Sequence, residues 1–490
     1  MKPDRDAGLA LRAAIGELPD VSAQEGLTPP GPGELYVPES HTKALNLDTT
    51  VVVGMRGAGK SVWTAALFDD AARQRLVGAG APKTLKDTHV RVGFSNDPYQ
   101  GGHPDSESLG MLLDRGLEPR HIWRGVLARQ LADVCGLPFS SNRFDQAAQW
   151  AREDPESFNE LLGKAATSLK QNGRYLLLIF DSLDTTVPGS WKEVRALARG
   201  ALEVALACRP YPNIRLKFFI RPDMEEDEGV FDVRDSSKLR HNRVDLVWRP
   251  VDLYGLLFHT LANGSAGDHF RQLAERITRL RWKSADGFWR APDAMRGNEE
   301  NQRPILEAIA GPYMGTNPRR GYTYTWITGH LADAYGRIAP RSLLLALRKA
   351  ADITHEKHSG HDHPLHYEAI KRGVAEASAI RVDELSREDY PWVAPLLRQL
   401  HGMAVPLEIR ELGEKWTTLV LHEVLRVSNE KLPPRRYAST AENGRSIELL
   451  VGDLEALGVL YRTDDGRINI PDIFRVGFGI RRKGGVRPPR

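Results

Sequence analysis

The sequence predicts an α/β fold: a three-layer domain on a mainly parallel sheet, then a helical region, then a C-terminal winged-helix-like domain. Three observations lead there. Four short apolar or β-branched stretches alternate with helix-spaced ones between residues 49 and 262. A glycine-rich turn ending in Lys-Ser joins the first of these stretches to the helix after it. Near the C-terminus an amphipathic helix runs into a hairpin signal.

At 490 residues the chain exceeds one ordinary core, and such a length suggests about two to four domains. Hydrophobic content of 41% and charged content of 27% belong to a folded globular chain rather than a disordered one. The formal charge of +3 is nearly balanced, so any nucleic-acid surface must be local. Cys135 and Cys208 are the only cysteines, which argues for a reducing compartment and against a disulfide framework. The first twenty residues lack the apolar core of a secretory signal, and no apolar run approaches the roughly 20 residues of a membrane span. The expected location is the cytoplasm, with no membrane partner.

A short helix is expected over residues 6–17, and "EGLTPPGPGELYVPES" then breaks regular structure. Residues 1–48 read as an N-terminal arm. "TTVVVG", "THVRVGF", "YLLLIFD" and "IRLKFFI" read as strands buried on both faces, separated by helices with apolar spacing near 3.6. Strand–helix alternation implies right-handed crossovers. The β signal ends after "VDLVWRPVDLYGLLFHTLANG". Residues 263–354 are expected to be helical, with a polar loop around "RGNEENQRP". The stretch 355–390 reads as a histidine-rich linker and a helix, and 391–490 as the winged-helix-like domain.

Residues 49–262 carry the chemistry. In "VVVGMRGAGKSVWTAAL" the pattern Gly54-x-x-x-x-Gly59-Lys60-Ser61 follows a strand and opens a helix, the context of a P-loop. Its backbone from Gly54 through Arg56, Gly57, Ala58 and Gly59 would curl N–H groups around phosphate oxygens, aided by the helix N-terminus. Lys60 would reach the β- and γ-phosphates and Ser61 would hold Mg2+, so ATP and Mg2+ are the expected cofactors. The alternative is a glycine-rich turn with no ligand.

A second carboxylate is needed at the end of a neighbouring strand to orient Mg2+, and Asp181 in "LLLIFDSLD" is the candidate; the alternative is a solvent-facing aspartate ending a buried strand. Asp184 is a candidate to polarise the attacking water or a cap for the turn that follows; both readings stand. Arg221, ending "IRLKFFI", is placed to stabilise γ-phosphate charge, against a plain salt bridge with Asp223 or the acidic run "EEDE". Arg341, near the start of "PRSLLLALRKAAD", would report the phosphates to a helical lid over 263–354, or stand as surface charge.

This order of P-loop, "LLLIFDSLD", strand-end arginine, helical region with "PRSLL" and winged-helix-like end resembles the AAA+/STAND branch of P-loop ATPases. "FDSLD" is similar to the "DDLD"-type strand end of STAND and KAP-like members, with Ser182 in place of the middle acid. The resemblance implies ATP-driven switching and oligomerisation, and in bacteria a role in conflict or antiphage systems; Ser182 implies slow hydrolysis. It also implies an arginine from a neighbouring subunit, for which Arg319, Arg320, Lys238, Arg240 and Arg243 are candidates.

"SIELLVGDLEALGVL" has an apolar helical face, and Asp464-Asp465-Gly466 is a hairpin turn between "VLYRT" and "RINIP". The tail from Arg475 carries six basic residues and no acid, suited to DNA or RNA backbone contact. Yet the candidate recognition helix carries Glu448, Asp453 and Glu455, with only Arg445 at its start, and suits protein contact better. His355, His358, His361, His363 and His366 have metal-compatible spacing, but their glycine- and proline-containing loop reads as a solvated linker.

The expected function is an ATP-binding and hydrolysing switch, acting with further copies or a partner protein. The rivals are an ATP-regulated nucleic-acid-binding protein and a nucleotide-binding scaffold without turnover. A small-molecule P-loop kinase leaves the C-terminal domain without a place.

Overall fold

A computed structural model describes residues 2–19, 26–97, 102–139, 141, 143–285, 287–428 and 432–483. The chain divides into two compact units. One comprises Ala23–Pro32 and Glu39–Leu246, the other Met1–Ser22, Gly33–Pro38 and Val247–Arg490. Among the described residues no helix is long and apolar enough to cross a membrane.

The first unit is built on β1 (Val51–Val53), β2 (Thr88–Phe94), β3 (Tyr175–Asp181), β4 (Ile214–Ile220) and β5 (Val244–Asp245). They lie in the order β2-β3-β4-β1-β5, every neighbouring pair parallel. The four long apolar stretches are strands where their sequence places them, because both faces of the sheet are covered. Helices α2 (Lys60–Phe68) and α3 (Asp70–Gly78) follow β1, and α2 packs on β2, β3 and β4. The opposite face meets α5 (Pro119–Cys135), α7 (Pro155–Gln171) and α8 (Trp191–Cys208), as the three-layer expectation requires. Helices α4 (Ser106–Asp114) and α6 (Phe144–Glu153) complete that layer. Under the functional edge Phe180 stacks on Phe218 at 4.9 Å and takes the edge of Trp123 at 5.2 Å. Trp123 Nε1 donates to Leu197 O at 2.8 Å, tying α5 to α8. Each such buried aromatic contributes roughly 2–3 kcal/mol.

The α2 face of β4 carries a lysine. Lys217 is wholly buried, and its Nζ donates to the carbonyls of Ala44 (2.8 Å), Asn46 (2.8 Å) and Thr49 (2.6 Å). Burial pushes its ammonium down to about 7, opposed by the Asp48 carboxylate. This tie fixes the run into β1. Lys217→Met is expected to destabilise the unit by about 2–4 kcal/mol, because three buried carbonyls lose their donor while the cost of burying the ammonium is relieved. A lower denaturant midpoint at unchanged slope would show it; an unchanged midpoint would mean that the tie contributes nothing.

In the second unit α1 (Arg5–Gly16) packs on α13 (Pro340–Lys357), and α13 packs along α14 (Tyr367–Glu384). The α13–α14 pair is close enough that a Cβ on Gly373 would meet Ala346 O at 2.0 Å, so only glycine fits there. Helices α9 (Pro250–Asn263), α10 (Gly267–Thr278), α11 (Glu299–Ala310) and α12 (Thr323–Leu331) supply most of the helical region. Two expectations for that region fail. Residues 263–354 are not wholly helical: β6 (Lys283–Ala285) pairs antiparallel with β7 (Phe288–Arg290), pinned by Asn263, whose side chain bonds both backbone groups of Trp289. "RGNEENQRP" is not a loop either, since Asn298 caps α11 through the Glu300 N–H (2.8 Å) and the helix carries Pro304 inside it.

The C-terminal end has the expected order of helices and a wing. Helices α15 (Ile409–Lys415), α16 (Thr418–Ser428) and α17 (Ile447–Ala456) precede β9 (Tyr461–Arg462), which pairs antiparallel with β10 (Ile468–Asn469). The acids of α17 serve the fold. Asp453 is buried and accepts the N–H groups of Arg436 and Tyr437, both at 3.0 Å, while Glu448 and Glu455 pair with Arg462. Arg445 donates to the carbonyls of Tyr437 and Thr440. The basic stretch is not a flexible tail from Arg475 onward. Arg475 pairs with Asp472 at 2.6 Å, and β11 (Arg481–Arg482) adds in parallel to β8 (Ala404–Val405). Residues 484–490 of that predicted tail lie outside the described residues.

Candidate functional site

The parallel register puts the C-terminal ends of β1, β3 and β4 on one edge, with Val53 opposite Ile220 and Asp181 opposite Phe219. In open α/β sheets ligands bind at that edge. The Gly54 N–H donates to Ile220 O at 3.0 Å, ending β1 beside β4. The chain then turns through Met55, Arg56, Gly57, Ala58 and Gly59 into α2. Gly57 (φ 75°) and Gly59 (φ 97°) take left-handed backbone that a side chain would strain. Lys60 and Ser61 open α2, so the N–H groups of its first turn and the helix dipole point at the loop. Lys60 Nζ donates to Gly54 O (2.8 Å) and Met55 O (3.2 Å), folding its ammonium over the loop. Trp63, buried below, donates to His41 Nδ1 at 3.2 Å and braces α2 on the helical turn Glu39–Leu45.

Asp181 is 3% exposed at the end of β3. Burial pushes its carboxyl above the usual range, opposed by the Ser61 hydroxyl, the Lys60 ammonium and the Ser182 N–H, which donates at 2.9 Å. A buried carboxylate that disfavours its own charge, touching a serine hydroxyl beside an ammonium, fits a hard divalent cation with oxygen ligands. The residues also fit a polyphosphate: Lys60 Nζ donates to two loop carbonyls that phosphate oxygens can replace.

Ser182 takes a left-handed conformation (φ 55°, ψ 33°), at roughly 1–2 kcal/mol for a residue with a Cβ. The chain turns back there, and the consequence is the position of Asp184. Arg221 Nη1 donates to Asp184 Oδ2 at 3.1 Å, and its Nε donates to Asp223 Oδ1 at 3.1 Å. Arg221 and Asp223 are buried, and Asp184 is nearly so. The Asp223 Oδ2 atom is buried without a hydrogen-bond partner among the described residues. One guanidinium thus bridges the strand-end turn of β3 and the turn after β4. The salt bridge of Arg221 to Asp223 is present, and Arg221 stands at the end of β4 on this edge. Sequence reasoning missed Asn96, after β2, and Thr185, whose hydroxyl lies 2.6 Å from Asn96 Oδ1 and 2.7 Å from Ser182 O. The polar "SND" directly after an apolar strand was the available signal.

Arg341 belongs to the other unit, where its Nη1 donates to Glu384 Oε1 at 2.5 Å. Lys238 pairs with Asp235 (2.9 Å), Arg240 with Glu225 (3.6 Å), and Arg243 with Asp245 (2.7 Å) and Glu225 (3.5 Å). Arg319 and Arg320, in the turn Pro318–Arg320, are exposed and without an ionic partner among the described residues.

The histidine stretch is not a loose linker. His358 ends α13 and His366 caps α14, with their rings stacked at 3.8 Å and 14°. His361 stands edge-on to His366 at 4.6 Å, and His363 Nδ1 lies 3.0 Å from Ala308 O, while His355 is exposed. Burial and the His366 and His363 rings push His361 down to about 4; burial and His358 lower His366.

No protein-family model matches the sequence, and no curated protein matches it. Solved structures give distant alignments. The ORC2 protein of Aeropyrum pernix, in ADPNP–ADP complexes, aligns at 16% identity over 92% of this chain and 93% of that one, with a TM-score of 0.37. A Walker-type ATPase of Pyrococcus abyssi aligns at 14% identity over 91% and 98%, with a TM-score of 0.36. The Aeropyrum pernix ORC1 protein in complex with DNA aligns at 14% identity over 98% and 91%, with a TM-score of 0.31. The loop, the sheet order and the strand-end residues of this chain carry the reading that follows.

Proposed function

We propose that this chain is an ATP-binding and slowly hydrolysing conformational switch. The observation that carries the reading is the Lys60, Ser61 and Asp181 constellation on the sheet edge, beside Arg221 held between two carboxylates. Bound MgATP supplies an electrophilic γ-phosphorus and a diphosphate leaving group. Lys60 exchanges its two carbonyl partners for phosphate oxygens. Ser61 and Asp181 hold Mg2+. Asp184 orients the attacking water, in place of the acid that Ser182 replaces. Arg221 swings from Asp184 toward the γ-phosphate, which frees Asp184 for the water, and returns when that charge leaves. Ser182 and the cost of opening the clamp both favour slow turnover.

The test that separates a switch from an inert scaffold is hydrogen exchange over residues 182–186 and 220–223, with MgADP against a non-hydrolysable ATP analogue. The two nucleotides are expected to give different protection in both segments. Equal protection would remove the switch.

The same proposal includes self-association, with Arg319 or Arg320 of one copy completing the site of another. Its support is that these two guanidiniums are exposed without an ionic partner among the described residues, whereas Lys238, Arg240 and Arg243 are paired within the chain. Arg319→Ala/Arg320→Ala is expected to lower turnover about tenfold or more while leaving nucleotide affinity unchanged. Turnover equal to wild type at every protein concentration would contradict it. Arg341 stays with Glu384 in this reading. Nucleic-acid contact is not part of this reading; Arg445 and Arg475 have partners inside the fold.

A further inference from the structure

The structure assigns a second site, separate from the nucleotide reading: His358, His366 and Glu368 form a binding site for one divalent transition ion of the Zn2+ class. One nitrogen from each imidazole and one carboxylate oxygen lie within 4.8 Å of one another. His358 Nε2 is 4.0 Å from Glu368 Oε2. A tetrahedral Zn2+ centre needs its donors about 3.3 Å apart, given bonds of about 2.0–2.1 Å. To aim two in-plane lone pairs at one ion the half-buried His358 ring must turn out of its 14° stack on His366, and the exposed Glu368 carboxylate must close in; both are side-chain rotations that leave the backbone in place.

The backbone under these donors is already fixed, which removes most of the ordering cost of binding. The Arg12 guanidinium donates to Ser359 O (3.1 Å) and Pro364 O (2.8 Å) across the loop. The His361 N–H donates to His358 O at 2.9 Å, and the Leu365 N–H to Ile309 O at 3.0 Å. Thr354 Oγ1 accepts the His366 N–H at 3.1 Å. The loop therefore holds the end of α13 against the start of α14, and the two stacked rings are products of that closure. His358 has no hydrogen-bond partner for its ring among the described residues, so its nitrogens are available. His366 Nδ1 accepts the Glu368 N–H at 3.2 Å, a long cap bond that a metal–nitrogen bond at this atom would replace. Two imidazoles and one carboxylate suit Zn2+, Co2+ or Ni2+ rather than Mg2+ or Ca2+, which take oxygen donors. Three protein ligands leave a fourth position to water or to His361, whose ring adjoins His366.

The test titrates untagged full-length chain with Zn2+ by calorimetry and with Co2+ by visible absorption. Wild type and His355→Ala are expected to bind one ion per chain, with the intense Co2+ bands of a tetrahedral site. His358→Ala and His366→Asn are expected to bind at least tenfold more weakly, the asparagine keeping a cap for α14 so that folding survives. Glu368→Gln is expected to lose about tenfold. Absence of stoichiometric binding by wild type, or unchanged affinity in His358→Ala or His366→Asn, would overturn the site. Unchanged affinity in Glu368→Gln would overturn the carboxylate's place in it.

Discussion

Asp184→Asn is expected to lower ATP turnover by about 10²–10⁴-fold with nucleotide affinity within threefold of wild type. That range is what a positioned base contributes to proton transfer. Asparagine keeps the size and one acceptor of Asp184, so the turn from Ser182 survives, but the 3.1 Å ion pair with Arg221 loses its charge. Arg221 then keeps its ion pair with Asp223. If Asp184 served only as a cap, turnover would stay near wild type and stability would fall slightly. The conservative Asp184→Glu variant separates these cases further, since a water-orienting role tolerates a shifted carboxylate poorly while a pairing role tolerates it well. Asp181→Asn, by comparison, is expected to abolish the Mg2+ dependence of nucleotide binding as well as turnover, because it removes a ligand rather than a base.

Lys60→Ala is expected to weaken MgATP binding about 100-fold or more. The ammonium would make two charge-assisted contacts to phosphate oxygens at roughly 1.5–3 kcal/mol each, and 1.4 kcal/mol is a factor of ten. The loss falls on binding and turnover together, because the contact exists before and during transfer. Folding is expected to be unaffected, since the Lys60 hydrogen bonds to Gly54 O and Met55 O lie within its own loop. Fluorescent-nucleotide titration with and without Mg2+ measures this directly. Unchanged affinity would mean that Lys60 does not face phosphate.

The four main strands and the loop at Gly54–Ser61 were legible because their signals are local. A strand buried on both faces needs an apolar run, and a phosphate cradle needs glycine where the backbone is left-handed, as at Gly57 and Gly59. The residue pairings around the site were not legible. Ser182 turns left-handed with no glycine to announce it, so the return of Asp184 to Arg221 could not be read from "FDSLD". β5 has two residues and β6 three, too few to show a period-two pattern. Pro304 pointed to a loop, yet the Asn298 cap and buried Ile305, Leu306 and Ile309 carry the helix through it. The basic run from Arg475 looked mobile because its partner, Asp472, serves two basic residues from one turn. The histidines looked loose because the residue that pins their loop, Arg12, lies some 350 positions away.

The central claim is that this sheet edge binds and hydrolyses ATP. Phosphate release from MgATP by purified wild-type protein, measured beside Lys60→Ala over the same protein concentrations, tests it most directly. Slow release by wild type that is lost in Lys60→Ala and in the presence of a metal chelator is the expected result. Equal release by the two proteins, or none from wild type at any concentration, would contradict it.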